Sequence, residues 1–225
     1  MKDILQDLNR MLDHSALKPD VNEKAVIQLC EEAIKYNFCA VCVNPVWARL
    51  AADRLKGISI KVVSTVGFPL GANRTDVKAT EAAKAVSDGA SEIDMAANIG
   101  WIKSGEFKKL EDEIAEVRRS IPSNVILKVI IEAPLLTPDE QLKATKAVIS
   151  GGAQFVKTGT GFFGDATVEQ VKNLARAAGG KILVKASGGI KTLEQCRVML
   201  EAGASRIGTS SGVQIMDQYS RPKSA

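Results

Sequence analysis

The sequence predicts an α/β protein: a single-domain (β/α)8 TIM barrel with an N-terminal amphipathic helix. Three observations predict it. Seven apolar runs of strand length, rich in Val and Ile, recur with start-to-start spacings of 21 to 34 residues. Helical patterns fill the gaps, and the runs are continuously apolar, as strands covered on both faces must be. No proline-rich linker or shift in composition divides the 225 residues, so residues 1–225 read as one domain, within the length that eight strand–helix units need.

The elements follow in order. Residues 1–12 carry Ile4, Leu5, Leu8, Met11 and Leu12 at helical spacing, and "DHSAL" (13–17) is a short first strand. The clear strands are "CAVCVN" (39–44), "IKVVSTVGF" (60–68), "SEIDMAANIG" (91–100), "VILKVIIEA" (125–133), "FVKTG" (155–159), "ILVKAS" (182–187) and "RIGTS" (206–210). Helical segments such as 75–90 and 107–121 separate them. Capping boxes mark helix starts at Asp20/Glu23, Thr137/Glu140, Thr167/Gln170 and Thr192/Gln195, with Pro138 at a first helical position. Gly89, Gly152 and Gly203, each followed by Ala, supply left-handed helix ends. Residues from about 216 to 225 read as a polar tail.

Composition excludes several classes of function. The chain is 45% hydrophobic and 25% charged, as a soluble domain with a real core is. Only 4% is aromatic, too little for platforms that stack single-stranded nucleic acid. The net charge of +4 is spread without a basic run, so neither nucleic acid nor an anionic membrane is an expected partner. A small anionic substrate suits the surplus better. Residues 1–14 lack the apolar stretch of a signal peptide, and four irregularly spaced cysteines suit a reducing compartment, so a cytoplasmic location is expected. Two motifs carry little. "GTGFFG" (159–164) matches Gly-x-Gly-x-x-Gly, but the next strand ends "LVKAS", without the acid that a dinucleotide ribose needs. Cys39 and Cys42, three apart on a strand, point to opposite faces, and the single His14 argues against zinc and against a Ser-His-Asp triad.

Three ionisable residues stand where apolar ones belong. Lys157 ends the sixth strand, Lys185 the seventh, and Asp94 lies within the fourth. Parity puts Phe155, Lys157 and Gly159 on one face and Leu183, Lys185 and Ser187 on one face, so both lysines can turn inward on adjacent strands. Two ammonium groups ~5 Å apart at an effective dielectric of ~20 repel by roughly 3 kcal/mol, which favours the neutral form of one of them. A neutral lysine attacks carbonyls to form a Schiff base, and Asp94 beside it can move protons. Gly161, Gly188, Gly189, Gly208, Ser210 and Ser211 follow the last three strands, where barrels cradle phosphate groups with backbone N–H and hydroxyls. Ser15, Cys42, Lys128 and Thr158 are further candidates for lining a substrate, and Lys128 shares a strand face with Glu132, with which it could pair.

At these residues the sequence resembles the deoxyribose-phosphate aldolases, class I enzymes of deoxynucleoside breakdown. "LDHSALKP", "VCVNP", "STVGFPLGANRTDVKATEA", "GASEIDMAANIG", "LKVIIEAPLLT", "FVKTGTGF", "VKASGGIKT" and "EAGASRIGTSSG" carry the resemblance over nearly the whole chain. It implies a lyase of this fold that needs no metal or organic cofactor. The reaction is cleavage of 2-deoxy-D-ribose 5-phosphate to D-glyceraldehyde 3-phosphate and acetaldehyde. Lys157 becomes the Schiff-base nucleophile, Lys185 and Asp94 the proton relay, and the six glycines and serines the phosphate site. The expected partners are the sugar phosphate, its aldehydes and further copies of the chain in a homo-oligomer. Two departures stand out: Gly159-Thr160-Gly161 replaces the family's usual Ser-Thr-Gly, and "GFFGDAT" is shorter than its usual loop. A class I aldolase or transaldolase for a longer sugar phosphate, and a barrel that binds sugar phosphates without turnover, are the alternatives.

Overall fold

A computed structural model describes residues 4–220. Eight strands close into a barrel in sequence order, every neighbouring pair parallel. They are β1 (Leu12–Ala16), β2 (Ala40–Val43), β3 (Lys61–Val66), β4 (Glu92–Ala96), β5 (Ile126–Ile130), β6 (Phe155–Lys157), β7 (Leu183–Ser187) and β8 (Arg206–Thr209). The helices are α1 (Glu23–Tyr36), α2 (Ala48–Arg54), α3 (Thr75–Ser87), α4 (Ile99–Lys103), α5 (Phe107–Ser120), α6 (Pro138–Ser150), α7 (Val168–Ala178), α8 (Leu193–Glu201) and α9 (Gly212–Ser220).

The capping boxes at Thr137, Thr167 and Thr192 form as their spacing predicts, and Pro138 opens α6. The Asp20/Glu23 box does not form. Extended Asn22 caps α1 instead, its side chain accepting from the Ala25 N–H at 3.1 Å. Gly89, Gly152 and Gly203 all have positive φ, as the helix ends require.

The two chain ends correct the sequence-based expectation. Residues 4–7 form a turn and Leu8–Met11 a 3-10 helix, after which Leu12 already begins β1. So short a segment is a marginal helix in isolation, and left-handed Asp7 interrupts it. Leu8 and Leu12 are buried all the same. At the other end, half of the expected polar tail belongs to α9, because Ile215 and Met216 bury themselves and Asp217 accepts from the Tyr36 hydroxyl. Residues 1–3 and 221–225 of those segments lie outside the described residues.

The main apolar core lies between sheet and helices, where Val41, Ile93, Met95, Leu127, Val129, Val156, Val184 and Ile207 face outward from the barrel. Inside the barrel a small separate cluster of Ala40, Cys42 and Val63 is apolar. Much of the remaining interior is charged, although barrel centres are usually filled by branched hydrophobic side chains. That charge lies directly beneath the mouth.

Candidate active site

Register decides which charges meet. Lys157 is level with both Ile130 and Lys185, while Asp94 is level with Lys128. The amines of Lys157 and Lys185 donate to the same oxygen, Asp94 Oδ2, at 2.8 and 2.7 Å. Lys128 donates to the other oxygen at 2.9 Å and pairs with Glu92 at 2.5 Å. Lys185 also pairs with Asp13 at 2.5 Å, and Arg206 bridges Asp13 and Glu92 from below. Four cations thus face three carboxylates in a connected, buried group.

Each charge in this group has several opposite neighbours. Burial alone would raise Asp94, but Lys128, Lys157 and Lys185 hold its carboxyl well below the usual range. Burial works the same way on Asp13, and Lys185, Arg206 and Lys128 outweigh it, leaving a pKa of about 2. Burial opposes the charge on Lys185, yet Asp13 and Asp94 hold its ammonium above the ordinary lysine range. The Cys42 thiol, 4.0 Å from Asp94, is pushed up to about 11 by burial and by that carboxylate, so it is a neutral lining group.

Above this group opens a cavity of about 530 Å³. Lys157, Lys185, Ser15, Cys42, Gly161, Gly188, Gly189, Gly208 and Ser210 all line it. Asp94 does not; it lies fully buried beneath and reaches the cavity through the two lysines. The other candidates take different places. Lys128 is fully buried and does not pair with Glu132, which leaves the strand in a left-handed turn and accepts from the Thr160 N–H instead. Thr158 points into the wall, where its hydroxyl donates to the Ser187 carbonyl and accepts from the Ser187 N–H, tying β6 to β7. Ser211 faces a neighbouring pocket with His14 and Gln214. His14 turns outward to Glu32 at 2.8 Å, while Asp13 and Ser15 on either side of it turn in.

The glycines have a second reason to be glycine. A Cβ on Gly208 would come within 2.9 Å of Ser187 Cβ and 3.0 Å of Lys185 Cε, so this position makes room for the lysine stem. Gly161 and Gly188 pack Cα against Cα, and the Ala166 N–H donates to the Gly188 carbonyl at 3.1 Å. Sequence reasoning missed Glu92 and Arg206. Glu92 was within reach, because it shares the inward parity of Asp94.

A parallel barrel whose mouth holds paired lysines over a buried carboxylate defines a class: barrels equipped for carbonyl chemistry on an amine. Comparison with known proteins narrows it. Residues 9–218 match the model of the DeoC/LacD family aldolases, and the chain belongs to that family. It is 48% identical over 217 residues to the deoxyribose-phosphate aldolase of Natranaerobius thermophilus, covering 96% of this chain and 99% of that one. The corresponding enzyme of Thermococcus gammatolerans is also 48% identical, over 215 residues, covering 94% and 96%. Among solved structures, the aldolase QR15 superposes with a TM-score of 0.90 at 41% identity, covering 95% and 96%. The tetrameric deoxyribose phosphate aldolase of Aeropyrum pernix superposes at 0.88 and 30% identity, covering 97% of each chain. The (β/α)8 architecture and the aldolase activity read from the sequence stand.

Proposed function

We propose that this aldolase cleaves 2-deoxy-D-ribose 5-phosphate to D-glyceraldehyde 3-phosphate and acetaldehyde through a Schiff base on Lys157. The observation that carries it is the sharing of one Asp94 oxygen by Lys157 and Lys185 at the cavity floor. The two lysines are not equivalent. Among the described residues Lys185 has two carboxylate partners and Lys157 one, which it shares. Lys185 therefore keeps its proton, and release of one from Lys157 leaves three cations facing three carboxylates.

The neutral Lys157 amine attacks C1 of the open-chain sugar, and the carbinolamine loses water as Lys185 supplies the proton to its hydroxyl. The C3 hydroxyl then returns a proton to the Lys185–Asp94 pair, and the C2–C3 electron pair moves into the iminium. Glyceraldehyde 3-phosphate leaves, the enamine is protonated at C2, and hydrolysis frees acetaldehyde and Lys157. Asp94 acts through the lysines, since it does not line the cavity. Gly161, Gly188, Gly189, Gly208 and Ser210 form the end that receives the phosphate, with Ser211 at its edge. We also place the enzyme in the cytoplasm as a homo-oligomer; the tetrameric Aeropyrum pernix protein supports the second point.

Borohydride reduction in the presence of acetaldehyde, followed by peptide mass mapping, tests the assignment. A two-carbon adduct on Lys157 alone is expected. An adduct on Lys185 or Lys128 with Lys157 unmodified would overturn it.

A further inference from the structure

The outer end of the cavity holds a negative charge that a phosphate cradle would exclude. Asp165, in the loop between β6 and α7, lines the cavity beside Gly188, Gly189 and Lys191. A Cβ on Gly189 would fall 2.2 Å from Asp165 Cγ and 2.3 and 2.6 Å from its two oxygens, so the carboxylate lies directly against the glycine Cα. Neighbouring contacts hold the backbone on either side of it. The Ala166 N–H donates to the Gly188 carbonyl, a Cβ on Gly188 would meet the Gly164 carbonyl at 3.1 Å, and Phe162 packs edge-on against Phe68 at 5.5 Å. Asp165 is exposed to the cavity mouth and has no hydrogen-bond or ion-pair partner among the described residues, although Lys18 and Lys191 line the same cavity.

We propose that Asp165 is a specificity-determining residue that opens the site to 2-deoxyaldoses and aldehydes ending in an uncharged hydroxyl. The inference rests on the placement of the phosphate end given above. A carboxylate at that end repels a phosphate dianion, which raises KM for phosphorylated substrate. A terminal hydroxyl donates a hydrogen bond to the same carboxylate and meets no repulsion. The site thereby discriminates less between the two substrate classes than its glycine and serine cradle alone would.

The experiment measures kcat/KM for 2-deoxyribose 5-phosphate and for 2-deoxyribose in the wild-type enzyme and in Asp165→Asn and Asp165→Gly. The preference for the phosphorylated sugar should rise about tenfold in both variants, equivalent to ~1.4 kcal/mol. The change should come through KM for the phosphorylated sugar and shrink at high ionic strength, where exposed charges are screened. A preference within twofold of wild type, or an equal fall on both sugars, overturns the proposal and leaves Asp165 as a loop anchor. Ser210→Asp separates the two levels of argument. If it harms only the phosphorylated sugar, the phosphate end is placed correctly and an unresponsive Asp165 sinks this inference alone. Equal harm on both sugars sinks the phosphate end and the inference with it.

Discussion

Lys78 and Lys185 are both buried lysines, each held by a carboxylate at under 3 Å, and their ammonium groups are pushed in opposite directions. Lys78 of α3 lies outside the barrel, donating to Glu113 at 2.7 Å and to the Ala96 carbonyl at 2.9 Å. Burial pulls its pKa down against the pull of Glu113, and burial raises Glu113 against the pull of Lys78. Both shifts run toward a neutral pair. In the barrel the directions reverse: Asp94 and Asp13 are held low and Lys185 high. The difference is the number of partners. A single buried pair recovers too little attraction to offset desolvation, whereas a chain of alternating charges recovers enough. Only the second arrangement reaches a cavity, so only there can a proton be passed to a substrate.

Exchanging the two sites experimentally breaks or sharpens this contrast, and the largest effect falls on activity. Lys157→Met should lower kcat by at least about a thousandfold, because no other amine replaces the nucleophile. Its urea midpoint should move little, since Asp94 keeps Lys128 and Lys185. Lys185→Leu comes next, with turnover down by ~10²–10⁴ through the lost proton transfer. Adduct formation at Lys157 should continue in that variant. Equal, pH-independent loss of trapping and turnover would show that Lys185 is needed for the nucleophile itself. Lys78→Met should do the reverse of Lys157→Met, leaving Glu113 buried and unpaired at a cost of about 3–5 kcal/mol in urea unfolding. Its kcat per folded molecule should be preserved; a fall comparable with that of Lys157→Met would erase the distinction between the two lysines.

The smallest effect is an acid titration of the charge network. Asp13 is depressed from 3.8 to about 2, so its contribution is complete above pH ~4 and is lost as pH falls toward 2. The difference corresponds to on the order of 2 kcal/mol. Urea unfolding of the wild type should weaken across that window, and Asp13→Asn should be less stable at neutral pH but flatter within it. Parallel curves for the two proteins would mean that Asp13 is not held low by its cationic neighbours.

Local pattern alone determined the order of eight strands, the three threonine capping boxes, and the placement of Lys157 and Lys185 on neighbouring inward faces. These depend on periods of two and near four and on adjacent strands being successive, all properties of short segments. Barrel closure decided the rest. Asp13 meets Lys185 and Arg206 only because β1 pairs with β8, and Lys128 finds Glu92 and Asp94, not Glu132, because the chain turns left-handed at Glu132. Lys78 lies on α3, and it is the packing of α5 that brings Glu113 against it. Which residue is charged can be read along the chain; which charge it faces depends on distances between segments far apart in sequence, and those exist only once the barrel has closed.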